Sequence, residues 1–117
     1  MAMILQKGEK IHIIVRRAFD NDVRRHFAGM VMADPEGGVI RIQGYAFVWD
    51  KNANSYEKRP ETRTRIFSLV DGRHIINVLP ANSDINKLQY VQSKEGRLIV
   101  TDGAAFQLDI NEFGARY

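Results

Sequence analysis

Asp50, Asn52, Asn54, Tyr56, Lys58 and Glu61 stand at positions 1, 3, 5, 7, 9 and 12 of a loop of the kind that wraps calcium, where alternating oxygens and a terminal bidentate carboxylate would close on the ion. The pattern breaks where the chemistry is most demanding. The sixth position is Ser55 where the sharp bend needs glycine, the eleventh is Pro60, and the ninth would aim the Lys58 ammonium at a cation. The flanks alternate as strands do. The same residues make a polar hairpin turn, rich in asparagine because that side chain tolerates left-handed backbone, and no calcium site is expected.

His12, His26 and His74 fall on three separate strand-like runs with no His-x-x-x-His or comparable pair. Nothing in their spacing brings two imidazoles to one ion, so each reads as a structural or surface residue, and no metal or other cofactor is expected. Hydrolytic machinery is equally hard to assemble. Ser68, Ser83 and Ser93 have no surrounding Gly-x-Ser-x-Gly. Asp20 and Asp22 share a face only if their turn-forming segment is extended. Arg59 lies between Glu57 and Glu61 and would hold both ionised, whereas a general acid must keep its proton. Gly37-Gly38 lacks the glycine spacing and the following helix of a phosphate loop. With no cysteine, thiolate nucleophiles, thiolate metal sites and disulfides are excluded. No catalytic residue is assigned.

What remains is positive charge among aromatic rings. Arg16-Arg17, Arg24-Arg25, Arg41, Lys58-Arg59, Arg63, Arg65 and Arg73 belong to the first two-thirds of the chain. Through His74 there are thirteen Lys and Arg against nine Asp and Glu, and from Ile75 onward four against five. Arginines neutralise phosphates, and rings beside them stack on unpaired bases. Asp50, Glu57 and Glu61 interrupt the pattern, and the competing reading is a solvated strand face of mixed charge that guards against edge pairing.

Two long runs must position these groups. In Val39 to Trp49, period-two alternation puts Ile40, Ile42, Ala46 and Val48 on one face and Arg41, Gln43, Tyr45, Phe47 and Trp49 on the other. The second arm runs from Tyr56 to Val70, interrupted at Pro60, which has no ladder N–H to give. A five-residue turn, Lys51 to Ser55, would set Trp49 against Glu57, Phe47 against Arg59, Tyr45 against Glu61 and Gln43 against Arg63. The arginines then stay off the core side and three adjacent rings lie among charges. So large an exposed ring patch is unusual. It predicts a partner-binding face of Arg41, Tyr45, Phe47, Trp49, Arg59, Arg63 and Arg65, covered by a second subunit of a homo-oligomer or by single-stranded nucleic acid.

Around this hairpin, β-branched runs predict strands over Lys10 to Arg17, Arg24 or Arg25 to Met32, Arg73 to Leu79, Leu88 to Gln92, Leu98 to Thr101 and Ala105 to Ile110. Asp34-Pro35-Glu36-Gly37-Gly38 is a turn. Asp71-Gly72 predicts a type I′ hairpin between Ile66 to Val70 and Arg73 to Leu79. Pro80 to Asn86 reads as a loop or single helical turn capped by Ser83 or Asn82, and the tail from Asn111 to Tyr117 is expected to fray.

At 117 residues and 13.4 kDa, with 44% hydrophobic and 26% charged residues, the chain has the size and composition of one globular domain. The fold class expected is all-β, an antiparallel meander of about seven or eight strands closing into a small barrel or sandwich. Its interior would hold Ile11, Ile13, Val15, Ile40, Ile42, Val48, Ile75, Leu79, Leu98 and Val100. Met1 to Gly8 is too short in its apolar part for a signal peptide, and no run approaches the ~20 apolar residues of a membrane span. A soluble, cytoplasmic protein with no membrane partner is expected. Its function reads as a non-catalytic binding or interaction module, acting as a homo-oligomer or on an anionic partner such as nucleic acid. The other class is a small-ligand-binding barrel, with or without catalysis, holding an apolar or amphipathic small molecule in an interior cavity.

Overall fold

A computed structural model describes residues 4–19 and 21–110, and the described chain is all-β. The tail for which fraying was expected, 111–117, lies outside the described residues. In chain order the strands are β1 (Lys10–Val15), β2 (Arg25–Val31), β3 (Val39–Asp50), β4 (Ser55–Lys58), β5 (Arg63–Ser68), β6 (His74–Val78), β7 (Gln89–Gln92), β8 (Leu98–Thr101) and β9 (Gln107–Asp109). These nine strands exceed the expected seven or eight because the second hairpin arm is broken around Pro60. A single 3-10 turn, Ile85–Lys87, precedes β7, and its cap is Asp84 rather than Ser83 or Asn82.

The strands form two antiparallel sheets. The larger has the order β4-β3-β2-β1-β6, with β5 on the other half of β3; the smaller is β7-β8-β9. The long β3 is therefore paired by β2 on one side and by β4 and then β5 on the other. At its centre Gly29 faces Gly44. A Cβ on Gly44 would lie 1.9 Å from the Ala28 carbonyl oxygen, and one on Gly29 would lie 2.3 Å from that of Gln43. Glycine at both positions lets the two backbones come this close, so the sheet can bend sharply where they meet.

Each face of the bent sheet carries its own core. On one face Ile11, Ile13, Phe27, Val31, Ile40, Ile42, Ala46 and Phe67 pack together with Leu5, so strands of this sheet close over their own side chains. On the other, Ile14, Ala28, Phe47 and Tyr56 pack against Leu88, Val100 and Ile110, together with Tyr90, Leu98 and Leu108 of the smaller sheet. The expected single interior is thus divided: Ile11, Ile13, Ile40 and Ile42 belong to the first core, and Ile75, Leu98 and Val100 to the second. Neither sheet is closed into a barrel, because β5 and β6 pair with β3 and β1 and not with each other.

This corrects the expected type I′ hairpin at Asp71-Gly72. Gly72 has φ +72°, but Asp71 is not among the described non-glycine residues with positive φ. The chain crosses here from one side of the sheet to the other, with the Arg73 carbonyl accepting from the Arg16 N–H.

The central register also differs from expectation. Asp50 pairs with Ser55 across a four-residue turn, so Trp49 faces Tyr56 and Phe47 faces Lys58. Beyond the break, Gly44 faces Arg63, Ile42 faces Arg65 and Ile40 faces Phe67. The ladder is thus offset by one residue in opposite senses on either side of residues 59–62. The turn puts Asn54 at φ 53°, the left-handed conformation that asparagine tolerates.

Candidate anion-binding groove

The connection from β1 to β2 is held at both ends. Besides the Arg16–Arg73 bond, the Trp49 N–H donates to the Arg24 carbonyl. Within the connection the Asp22 carboxylate accepts from the N–H groups of Ala18 and Phe19, at 3.1 and 3.0 Å. Two clefts flank this loop, and both are lined by Arg17, Asp22 and Val23. One, of about 580 Å³, adds Arg24, Trp49, Asp50, Lys51, Glu57 and Arg59. The other, of about 400 Å³, adds Arg16, Arg25, Asp71, Arg73 and His74. Among the described residues the two together carry seven Arg or Lys side chains against four carboxylates. Their excess of three matches the formal net charge of the whole chain, +3. Three of the carboxylates also have their oxygens engaged by nearby backbone: Asp22 as above, Asp50 by Asn52 N–H, and Asp71 by Arg73 N–H.

Half-buried Trp49 forms one wall. The Arg24 guanidinium sits 5.3 Å from the centre of its ring, close enough for a cation–π contact. Behind Trp49 a chain of rings leads inward. Tyr56 meets Trp49 edge-on at 5.2 Å and stacks on His26 at 4.1 Å. Burial pushes the Tyr56 phenol up to about 12, an effect that the charges of Arg24 and Arg17 partly offset, so the hydroxyl keeps its proton.

The chain of rings ends in a buried polar cluster. The Tyr90 hydroxyl lies 2.7 Å from His12 Nε2 and 2.7 Å from His26 Nδ1. A phenol can donate its proton to one imidazole and accept from the other. His12 Nδ1 and His26 Nε2 are buried without a hydrogen-bond partner. Burial lowers His12 to about 3; burial, and then the neighbouring His12, lower His26 to about 2, so both imidazoles are neutral at ordinary pH. The Tyr90 hydroxyl is raised well above its ordinary value, first by burial and then by Tyr56. The cluster joins the sheets, since β1 and β2 supply the histidines and β7 the tyrosine.

The residues expected to share one partner face are dispersed. Phe47 is fully buried with its ring 5.2 Å from Tyr90, so the smaller sheet of the same chain covers the face for which a second subunit was expected. Tyr45 is half-buried under Lys58 Nζ, 4.0 Å from its ring centre, and its hydroxyl donates to Asn86. Trp49 and Arg59 line the groove. Arg41 is exposed at the other end of β3, and Arg63 and Arg65 lie on β5 opposite Gly44 and Ile42. Sequence reasoning missed the joining of His12 to His26, which follows only from the β1–β2 register. It placed Leu98 and Val100 in the interior but missed that they, with Leu88, Tyr90 and Leu108, belong to a second core between two sheets.

The described residues form an all-β fold of two antiparallel sheets, with arginine-lined clefts beside the β1–β2 loop. No family model matches the chain, and comparison with curated proteins and with solved structures finds no match either. No helix of the described residues is long and apolar enough to cross a membrane.

Proposed function

We propose that this chain is a non-catalytic binding module for an anionic partner, a single-stranded nucleic acid lying in the groove on either side of the β1–β2 loop. The observation that supports this reading is the gathering of arginines around the β1–β2 loop, in two clefts of which one has Trp49 on its wall. Arg17, Arg24 and Arg59, in the cleft with Trp49, would neutralise phosphates, while its ring offers a sequence-tolerant stacking surface. The scaffold is read as a small barrel left open between β5 and β6, and the charge balance and lack of cysteine suit a cytoplasmic protein. The test is fluorescence anisotropy of a labelled oligothymidylate, with Trp49 emission followed in parallel. Binding that weakens with salt, quenches Trp49 and is lost in Arg17→Ala/Arg24→Ala is the expected outcome. Absence of binding at low salt, or binding indifferent to those substitutions, overturns the reading.

Small-ligand binding is a second reading, favoured by one observation. A cleft of about 520 Å³ lies between the outer face of β1–β3 and the 82–86 segment, and the Ser83 hydroxyl on its wall is buried without a partner. Its other polar groups include Gln43, Thr62, Asn82 and Asn86, with one cation, Lys10, and one carboxylate, Asp84, a balance that suits a neutral polar ligand better than the apolar one expected from sequence. Saturation-transfer NMR with maltose and cellobiose tests it: signals abolished in Asn86→Ala support the reading, and no transfer from either sugar removes it.

A further inference from the structure

Arg25, Arg63 and Arg65 lie on the opposite face from Trp49, and the groove does not account for all three. The register puts them on one face of three adjacent strands: Arg25 and Phe27 on β2, Ala46, Gly44 and Ile42 on β3, and Arg63 and Arg65 on β5. This face holds the first core, over which the sheet closes. Side chains that leave such a face converge. Gly44, between the two outer strands, adds no side chain to keep them apart. Arg65 reaches across it, its guanidinium 5.6 Å from the centre of the Phe27 ring on β2, with Arg25 two residues before Phe27 and Arg63 two residues before Arg65.

The three guanidiniums are poorly compensated. Among the described residues the ion pair made by this group joins Arg63 to Glu61 at 3.8 Å, with both side chains largely exposed, a geometry that contributes little. Arg65 is half-buried, and its pKa is lowered first by burial and then by the charges of Arg63 and Arg25. Arginine presents a planar fork of donors suited to tetrahedral oxyanions, and like charges held together over an apolar floor are relieved when such an anion enters.

We propose that Arg25, Arg63 and Arg65 form a second anion site, on the opposite face of the sheet from Trp49 and sharing only Arg25 with the lining of the groove, that takes a compact tetrahedral oxyanion, the phosphate group. Arg65, held over Phe27, is the fixed member; Arg63 lies two residues from it on β5, and Arg25 lies two residues before Phe27 on β2, opposite Val48. Free inorganic phosphate and the phosphate of a small monoester offer the same chemistry, and the experiment separates them.

The test is the thermal unfolding midpoint of the full chain in sodium phosphate, in phenyl phosphate and in sodium chloride at matched ionic strength. Millimolar phosphate should raise the midpoint by several degrees over chloride, by mass action on the folded state. Arg63→Gln/Arg65→Gln should abolish that rise; Arg63→Gln alone, at an exposed position, should weaken it without risk to folding. A matching rise with phenyl phosphate assigns the site to monoesters, and a rise with inorganic phosphate alone assigns it to the free ion. Because phosphate also stabilises proteins by exclusion from their surface, an equal rise in wild type and in both variants overturns the site, as does no rise at all. Arg17→Ala/Arg24→Ala, which tests the groove through residues that the phosphate site does not use, should leave the phosphate effect intact, so failure of one reading is told apart from failure of the other.

Discussion

Acidification from about pH 7.5 to about pH 5 is expected to cost the fold about 4 kcal/mol through His12 and His26. In the unfolded chain both imidazoles titrate near the ordinary value of 6.5, whereas in the native state they resist protonation down to about 3 and about 2. Between these limits the unfolded state binds more protons, so stability falls as pH falls. It is fully present above about pH 7.5 and is lost progressively from 6.5 down to the native values. At pH 5, about 1.5 units below the unfolded pKa, each histidine contributes a loss of about 2 kcal/mol. That is a large share of a total that runs about 5–15 kcal/mol for a domain of ordinary stability. Neighbouring groups do not blur the window. Tyr56 and Tyr90 stay protonated throughout, and Asp102, held at about 2 chiefly by the N–H groups of Ala104 and Asp84, titrates below it. The assay is urea unfolding followed by circular dichroism at the two pH values. Tyr90→Phe supplies the control. It leaves two more buried imidazole nitrogens without partners and should cost roughly 2 kcal/mol near pH 7.5 while keeping the acid slope. A stability change under about 1 kcal/mol across this range, or native His12 and His26 resonances that titrate near 6.5, would refute the reasoning.

Other perturbations test the fold and the turn. Gly44→Ala should destabilise by about 3 kcal/mol or more in urea unfolding, because the new methyl would sit 1.9 Å from the Ala28 carbonyl oxygen; a neutral result would mean that the β2–β3 crossing is looser than described. Asn54→Val places a β-branched residue at φ 53° and should cost about 1–2 kcal/mol, against little change for Asn54→Gly. Millimolar calcium and chelator should leave the unfolding midpoint unmoved, since Tyr56 of the candidate loop is buried against Trp49 and Lys58 of β4 pairs with Phe47 of β3; a rise with calcium would revive a metal site there.

Alternation along β3 was enough to place Ile40, Ile42 and Ala46 in a core, because a strand with one strongly aliphatic face has little choice. It was not enough for the opposite face. Tyr45, Phe47 and Trp49 read as exposed because arginine and glutamine share their parity, yet the smaller sheet covers just the part of the strand where the rings lie. Pro60 announced a break correctly, but the sizes of the turn and of the break are local matters that period-two patterning does not record, and the register erred in both directions. The basic character of the first two-thirds was legible. Its gathering at the β1–β2 loop was not, since Arg59, Arg73 and Trp49 reach that groove from strands and connections distant in sequence. The histidine cluster depends on strand registry and on the docking of a second sheet, and neither leaves a mark in residue spacing.

Residues 59–62 offer the chain a place to change length. From Gly44 to Phe47 strand β3 advances three residues, while its partner uses five between Arg63 and Lys58. The surplus is exposed, and the Arg59 N–H still reaches the Ala46 carbonyl. The ladder already leaves and re-enters here, so residues added after Glu61 should lengthen a surface excursion without turning any core side chain outward. One residue added within β3 would instead exchange the two faces of the strand on which both cores are built. Sequence insertions and grafted peptides should therefore be accepted at the first place and rejected at the second, a contrast that soluble yield and urea midpoints of the two insertion variants would expose.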